Sequence, residues 1–239
     1  MKHLELQNEI VYVAGDLHGD YESFLNAIKL SGKDDIIFLG DYADRGECGF
    51  EIINDLTSLI KEEPRITALM GNHEWYDNNG RPLFAPCDLP HEVIGKYKGS
   101  WLEYYNSVFV PFTNKLYTSA IVNKVLFVHA GIYDNIKSRE DLTKDLNKEN
   151  MLWSDPSDYK GRSPRGAGCL FDSTVTHNVL NYLCVSLLIR SHEPRKAKSG
   201  EPYKEHDGKV WTVNASRHYG KPFMVCINTI NLEYETVGL

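Results

Sequence analysis

Residues 10–70 alternate two hydrophobic patterns in a regular order. Three short apolar runs, Ile10–Ala14, Ile36–Leu39 and Ile66–Met70, are each followed by glycine. A brief apolar run of this kind reads as a buried strand. Between the first two runs, Phe24 and Ile28 stand four apart and share one face of a helix near Asp20–Leu30, which Gly32 breaks. Between the second and third, Ile52, Ile53, Leu56, Leu59 and Ile60 form a stripe at helical period over about Phe50–Lys61. Pro64 marks its end. A βαβαβ order implies parallel strands covered by helices. Its crossovers are right-handed, and ligands gather at the carboxyl ends of its strands.

Those ends carry metal-type ligands. The first run leads into Gly15-Asp16-Leu17-His18-Gly19, the second into Gly40-Asp41 with Asp44-Arg45-Gly46 beyond, and the third into Gly71-Asn72-His73-Glu74. Two later runs behave alike. Val125–Val128 ends at His129, and Leu187–Ile189 is followed by Arg190-Ser191-His192. A lone Asp or Asn beside glycine is usually a turn residue. Five strand ends sharing that coincidence point instead to one edge of a sheet where ligands converge. Asp16 and His18, two apart, can turn toward one point. The two oxygens of Asp41 could bridge two cations, and Asn72, His129 and His192 could complete the second shell. Carboxylate, imidazole and amide without thiolate suit Mn, Fe, Zn or a mixture. Two such ions hold a hydroxide for in-line attack and shield the charge of a phosphoryl group.

Composition narrows the partners. The chain has 239 residues, 42% hydrophobic, and no visible linker, so a single domain over 1–239 is expected. Its net charge of -7 disfavours sequence-independent nucleic-acid binding. Positive charge must therefore be concentrated at the site, as cations and a few arginines. The five cysteines, Cys48, Cys87, Cys169, Cys184 and Cys226, form no C-x-x-C pair and read as free thiols of a reducing compartment. Met1–Asn8 lacks a signal-peptide core, and no stretch approaches the ~20 apolar residues of a membrane span. A soluble, cytoplasmic location without membrane partners is the expectation.

The remaining chain is mixed. Asp77–Gly95 reads as loop, punctuated by Gly80, Pro82, Pro86 and Pro90. A helix is expected over Trp101–Val108. Beyond Pro111 the pattern is β-rich, with Tyr117–Val122 and Val125–Val128 forming a hairpin about Asn123-Lys124. Ser138–Asn150 is either helix or surface loop. Val175–Leu183 looks helical, and Val210–Val213 and Phe223–Val237 suggest closing strands.

The three early blocks resemble the signature of the phosphoprotein phosphatase (PPP) family of serine/threonine phosphatases, which belong to the calcineurin-like metallophosphoesterases. Leu152-Trp153-Ser154-Asp155-Pro156, Arg165-Gly166-Ala167-Gly168 and Arg190-Ser191-His192-Glu193 resemble the later blocks, in the family's order. The resemblance implies an α/β fold of four layers, αββα, in which helices flank a central β-sandwich with two divalent metal ions at its top edge. It implies that Asp16, His18 and Asp41 hold the first ion, and that Asp41, Asn72, His129 and His192 hold the second. His73 would protonate the leaving alkoxide, oriented by Asp44. Arg45 and Arg165 would grip phosphate oxygens, with Asn72 and a C-terminal tyrosine matched to Tyr219 also facing the substrate. Glu74 would fix its loop rather than bind metal. Arg190 implies either an opposite strand direction or a supporting salt bridge.

The implied reaction is hydrolysis of phosphoprotein, phosphoserine or phosphothreonine, with Mn²⁺ the expected ion in vitro and Fe or Zn the alternatives. Two departures bear on the substrate. His129-Ala130-Gly131-Ile132 resembles instead the symmetrical diadenosine tetraphosphate hydrolases, which act on dinucleoside polyphosphates. Residues 75–114 match no block, so the usual acid loop is not evident and a phosphotyrosine-specific relative is a further alternative.

Overall fold

A computed structural model describes residues 1–239. Its strands are β1 (His3–Leu6), β2 (Ile10–Ala14), β3 (Asp35–Phe38), β4 (Ile66–Ala68), β5 (Ser119–Val122), β6 (Val125–Val128), β7 (Asp155–Pro156), β8 (Gly161–Arg162), β9 (Cys169–Phe171), β10 (Leu187–Arg190), β11 (Tyr203–Glu205), β12 (Val210–Thr212), β13 (Phe223–Asn228) and β14 (Tyr234–Gly238). The helices are α1 (Tyr21–Leu30), α2 (Gly49–Glu62), α3 (Leu89–Lys96), α4 (Trp101–Tyr104), α5 (Val110–Thr113), α6 (Lys148–Trp153) and α7 (Ser173–Leu183).

One sheet has the order β14-β13-β2-β3-β4, the other β1-β5-β6-β10-β12-β11, and β7-β9-β8 form a small third sheet. The expected βαβαβ unit is present: β2 pairs with β3, and β3 with β4, all parallel. Strand alternation makes the two larger sheets a sandwich. Val11, Val13, Ile37 and Leu39 of the first sheet pack with Val125, Phe127, Leu187 and Ile189 of the second in one buried layer. The opposite side chains of the first sheet, Ala14, Ile36 and Phe38, meet Phe24, Ile52, Ile53 and Leu56 from α1 and α2. Those of the second, Leu126, Val128 and Leu188, meet Val175, Val179 and Leu183 of α7. Helices thus cover both outer faces, giving the αββα order. Because each central strand is buried on both sides, its sequence reads as continuous apolar residues.

Several elements depart from the sequence expectations. The segment read as loop contains α3, because Pro90 stands in its first turn, where a missing N–H is tolerated. The helix at Trp101 continues through a π-turn over Tyr105–Phe109 into α5, and Pro111 again sits in a first turn. Ser138–Asn150 forms two 3₁₀ turns leading into α6. The closing strands form where expected, with Phe223–Val237 divided into a hairpin of β13 and β14. The polar N-terminus supplies β1, whose apolar contacts are modest but which pairs in parallel along β5. The hairpin about Asn123 forms as expected, with Val122 opposite Val125 and Asn123 at φ 50°.

Candidate active site and metal centre

Five strand ends meet at one rim of the sandwich, and glycine allows their close approach. A Cβ on Gly15 would lie 2.7 Å from both Ser191 Oγ and the Val213 carbonyl oxygen. One on Gly71 would lie 2.2 Å from Asp41 Oδ1. Backbone bonds clip the loops together: the amides of Leu17 and His18 donate to the Asp41 carbonyl at 3.1 and 2.9 Å. Glu74 ties the next pair. Its Oε2 accepts from Asp41 N at 2.9 Å and Gly71 N at 2.8 Å, and its Oε1 from Tyr42 N at 3.0 Å. That is the loop-fixing part expected of it. The cost appears in the backbone. His18, Asp41, Asp44, Arg45 and His192 all have positive φ, between 45° and 68°. Five non-glycine residues in this region store strain at the site.

Two donor clusters share Asp41. On one side, Asp41 Oδ2 lies 3.5 Å from His18 Nε2, and Asp16 Oδ2 lies 3.8 Å from the same nitrogen. On the other, Asp41 Oδ1 lies 3.5 Å from His129 Nε2. Asn72 Oδ1 is 3.0 Å from that nitrogen and 2.9 Å from His192 Nδ1, and the two imidazole nitrogens are 3.2 Å apart.

Tautomers decide what these contacts mean. His129 Nδ1 donates to the Leu39 carbonyl at 2.9 Å, and His18 Nδ1 donates to the Ala43 carbonyl at 2.9 Å. Each Nε2 therefore presents a lone pair to oxygen acceptors. Burial, above all, pushes His18 and His129 down to about 3, so both rings stay neutral. Burial holds His192 well below the usual histidine range, with His129 adding to the effect. Burial and the neighbouring Asp16 and Glu74 carboxylates push Asp41 well above 3.8. Asp16 Oδ2 and His18 Nε2 are buried without a hydrogen-bond partner. Lone pairs facing lone pairs, with orphaned buried oxygen and nitrogen, are the signature of a cation-binding cradle. The donors fit divalent metal on both sides of Asp41.

His73 is a different case. It too lies near the first cluster, with Nε2 4.0 Å from Asp41 Oδ2. That nitrogen faces Arg45 Nη2 at 3.4 Å, and a guanidinium there opposes a metal ion. Its Nδ1 donates to Asp44 Oδ2 at 2.6 Å. The other Asp44 oxygen accepts from the amides of Asp88 and Leu89 at 2.6 and 2.8 Å, at the start of α3. The Phe84 ring packs on His73 with centroids 4.3 Å apart. Burial, then the Arg45 charge, holds His73 well below 6.5. Asp44 therefore fixes which nitrogen carries the proton, and the negative charge of a bound phosphoryl group must favour protonation of Nε2.

Beside the clusters lies a cleft of about 310 Å³ with Arg45, His73, Arg165 and Tyr219 in its walls. Arg45 Nη1 donates to the Tyr219 hydroxyl. Arg165 Nε donates to Asp155 Oδ2 at 2.6 Å. Asp155 Oδ1 accepts from Arg190 Nη2 at 2.8 Å, and Arg190 Nη1 reaches Glu193 at 2.8 Å. Arg190 is fully buried and β10 runs parallel to β6. The salt-bridge alternative for Arg190 is the one realised, and it lies behind the site rather than in it.

All eleven residues singled out from the sequence, Asp16, His18, Asp41, Asp44, Arg45, Asn72, His73, His129, Arg165, His192 and Tyr219, converge here. Ala130 does not line the cleft. It is fully buried, with its amide donating to the Met151 carbonyl at 2.8 Å. Phe84 and the amides of Asp88 and Leu89 were not foreseen, because they come from the segment without a matching block. Asp155 stood in a quoted block without a role; the sequence signal was Arg190 directly after the apolar run Leu187–Ile189, where a buried guanidinium needs a carboxylate.

Two cation cradles sharing one carboxylate, beside a guanidinium-walled cleft, define a metal-dependent phosphoesterase. The calcineurin-like phosphoesterase family model matches residues 10–196. Serine/threonine-protein phosphatase T of Trypanosoma brucei brucei is 35% identical over 231 residues, 88% of this chain and 46% of that protein. The serine/threonine-protein phosphatase 6 catalytic subunit of Drosophila melanogaster is 33% identical over 87% of this chain and 71% of its own length. This chain thus spans less than half of the trypanosome relative and most of the fly one. A solved Saccharomyces cerevisiae protein serine/threonine phosphatase with similarity to human phosphatase PP5 superposes with a TM-score of 0.81 at 23% identity, covering 100% of this chain and 84% of that one. The chain belongs to the calcineurin-like phosphoesterase family, in its phosphoprotein phosphatase branch. No helix is long and apolar enough to cross a membrane.

Proposed function

We propose that this chain hydrolyses phosphoserine and phosphothreonine in proteins, with Mn²⁺ the ion that supports turnover in vitro and Fe or Zn as alternatives. The observation that carries the reading is the Asp44–His73 pair, 2.6 Å apart, set against two donor clusters that share Asp41. Asp16, His18 and Asp41 would hold one ion, and Asp41, Asn72, His129 and His192 the other. Bound there, the ions supply Lewis acidity that neutralises phosphoryl charge and lowers the pKa of a water.

The protein's own groups do the rest. Arg45 and Arg165 hold the peripheral phosphoryl oxygens through charge-assisted hydrogen bonds, Arg165 from the Asp155 side and Arg45 from the Tyr219 side. Asn72 and Tyr219 complete the substrate-facing wall. His73 donates a proton from Nε2 to the leaving seryl or threonyl oxygen. An aliphatic alkoxide is too basic to leave unprotonated, so this acid lowers the barrier. Asp44 keeps Nδ1 protonated and the ring in place.

Ala130, the residue that resembles dinucleoside polyphosphate hydrolases, is buried away from the cleft, which favours the phosphoprotein reading. The test assays purified protein with Mn²⁺ on a phosphoserine peptide and on diadenosine tetraphosphate, before and after chelation. Chelator-sensitive turnover of the peptide is expected. A large preference for the nucleotide, or turnover that survives chelation, overturns the reading.

A further inference from the structure

The cleft contains more positive charge than gripping one phosphoryl group requires. Four basic side chains line it: Arg45, Arg165, Arg195 and Lys196. Two have carboxylate partners. Arg165 is held by Asp155 at 2.6 Å, and Lys196 by Glu193 at 2.8 Å and Glu205 at 2.9 Å. Arg45 is oriented by the Tyr219 hydroxyl and faces His73. Arg195 has no carboxylate partner. It is exposed at the mouth, in the 3₁₀ turn Pro194–Ala197 that follows His192 and Glu193. Its one specific contact is the Tyr219 ring, whose centroid is 5.8 Å from Cζ; the Arg45 Cζ lies 5.6 Å from the same centroid. One aromatic ring thus positions two guanidiniums, one beside the reacting centre and one at the rim. In a chain of net charge -7, an unneutralised arginine at this place stands out against its surroundings.

We infer that Arg195, supported by Tyr219, forms a second anion subsite that selects phosphopeptides carrying Asp or Glu within a few residues of the phosphorylated side chain. The inference rests on the phosphoprotein reading above and adds a substrate class to it. Extended peptide advances about 3.3 Å per residue, so one to three residues carry a neighbouring carboxylate from the phosphoryl position to the far side of the Tyr219 ring. The contact forms in the ground state and persists in the transition state, so it lowers KM and leaves kcat alone. An exposed pair of this kind supports about a three- to fivefold preference at low ionic strength, and salt erodes it.

The experiment compares kcat/KM of the Mn²⁺-loaded full chain on three phosphoserine peptides: one with Asp on the N-terminal side, one with Asp on the C-terminal side, and one with Asn at both. Arg195→Gln, Arg195→Lys and Arg195→Glu are measured in parallel, with p-nitrophenyl phosphate turnover reporting that the reacting centre is intact. The expected result is that wild type prefers at least one acidic peptide through KM. Arg195→Gln brings the acidic-to-neutral ratio to about one, Arg195→Lys retains part of it, and Arg195→Glu inverts it. Equal rates on all three peptides by wild type, or a preference unchanged in Arg195→Gln, overturns the subsite. Absence of turnover on every phosphopeptide sinks the phosphoprotein reading itself, a distinguishable outcome.

Discussion

Asp44 holds His73 with one oxygen and the start of α3 with the other: Oδ2 meets His73 Nδ1 at 2.6 Å, while Oδ1 takes the Asp88 and Leu89 amides at 2.6 and 2.8 Å. The carboxylate cannot rotate without breaking three bonds, so the imidazole is locked in one tautomer. His73→Ala is expected to lower kcat on a phosphoserine peptide by about 10²–10⁴-fold. On p-nitrophenyl phosphate, whose leaving group needs no proton, the loss should be much smaller. Asp44→Asn should share that leaving-group dependence, because the amide no longer enforces a proton on Nδ1. Equal losses on both substrates would remove His73 from the acid role.

Phe84 controls the environment of the same ring. It packs at 4.3 Å from His73, and burial is the foremost cause of the low imidazole pKa. Phe84→Ala admits water, so the His73 pKa should move up toward 6.5, read from its ring proton shifts by NMR in metal-free protein. The tilted ring contact itself is worth about 0.5–1.5 kcal/mol. Catalysis should fall chiefly in kcat, and Phe84→Leu should restore much of the burial and of the rate. An unchanged titration in Phe84→Ala would separate the aromatic contact from the acid.

The buried network behind the cleft joins stability to substrate binding. Asp155 pairs with fully buried Arg190 at 2.8 Å and with Arg165 at 2.6 Å. Asp155→Asn leaves buried Arg190 with Glu193 as its one paired carboxylate, so the loss should fall below the ~3–5 kcal/mol of a fully broken buried pair. Denaturant melts should show that loss, and KM should rise because Arg165 is freed. The double variant Asp155→Asn/Arg190→Met removes the under-compensated buried charge and leaves Glu193 to Lys196. It should recover much of the stability while KM stays high, a non-additivity that marks the two effects as separate.

The sequence disclosed most of the metal cradle because each ligand ends an apolar strand, and strand ends of a parallel unit share one edge. His192 was recognisable in this way although its strand belongs to the other sheet. The sandwich was not legible from the pattern alone. Ile36 and Ile37 look equivalent in sequence, yet one faces α2 and the other the opposing sheet. The support of the acid was also hidden. It depends on Phe84 and on two backbone amides, and an amide has no sequence signature. Pro90 reinforced the wrong reading, because a proline that begins a helix looks the same as one that breaks it.

Metal binding should release a proton, and the donor set says from where. His18 and His129 are pushed down to about 3, so above pH 4 they offer lone pairs without deprotonation. Asp41 is pushed the other way, well above 3.8, by burial and by the Asp16 and Glu74 carboxylates. At pH values between its unfolded and its raised folded pKa, Asp41 of metal-free protein keeps a proton that the unfolded chain has lost. Its contribution favours folding at low pH and is lost as pH rises through the folded pKa. A cation needs the ionised carboxylate, so affinity should increase with pH as Asp41 and its neighbour Glu74, which burial pushes up to about 7, lose their protons. Calorimetric titration with Mn²⁺ in buffers of different ionisation enthalpy measures that release. It should be present in wild type and reduced in Asp41→Asn, which should also bind Mn²⁺ more weakly because the carboxylate shared by the two clusters is gone. Bound metal should raise the thermal midpoint in proportion to RT ln(1 + [L]/Kd), and chelation should reverse the gain. Proton uptake instead of release on binding would contradict the upward shift of the Asp41 carboxyl in the metal-free cradle.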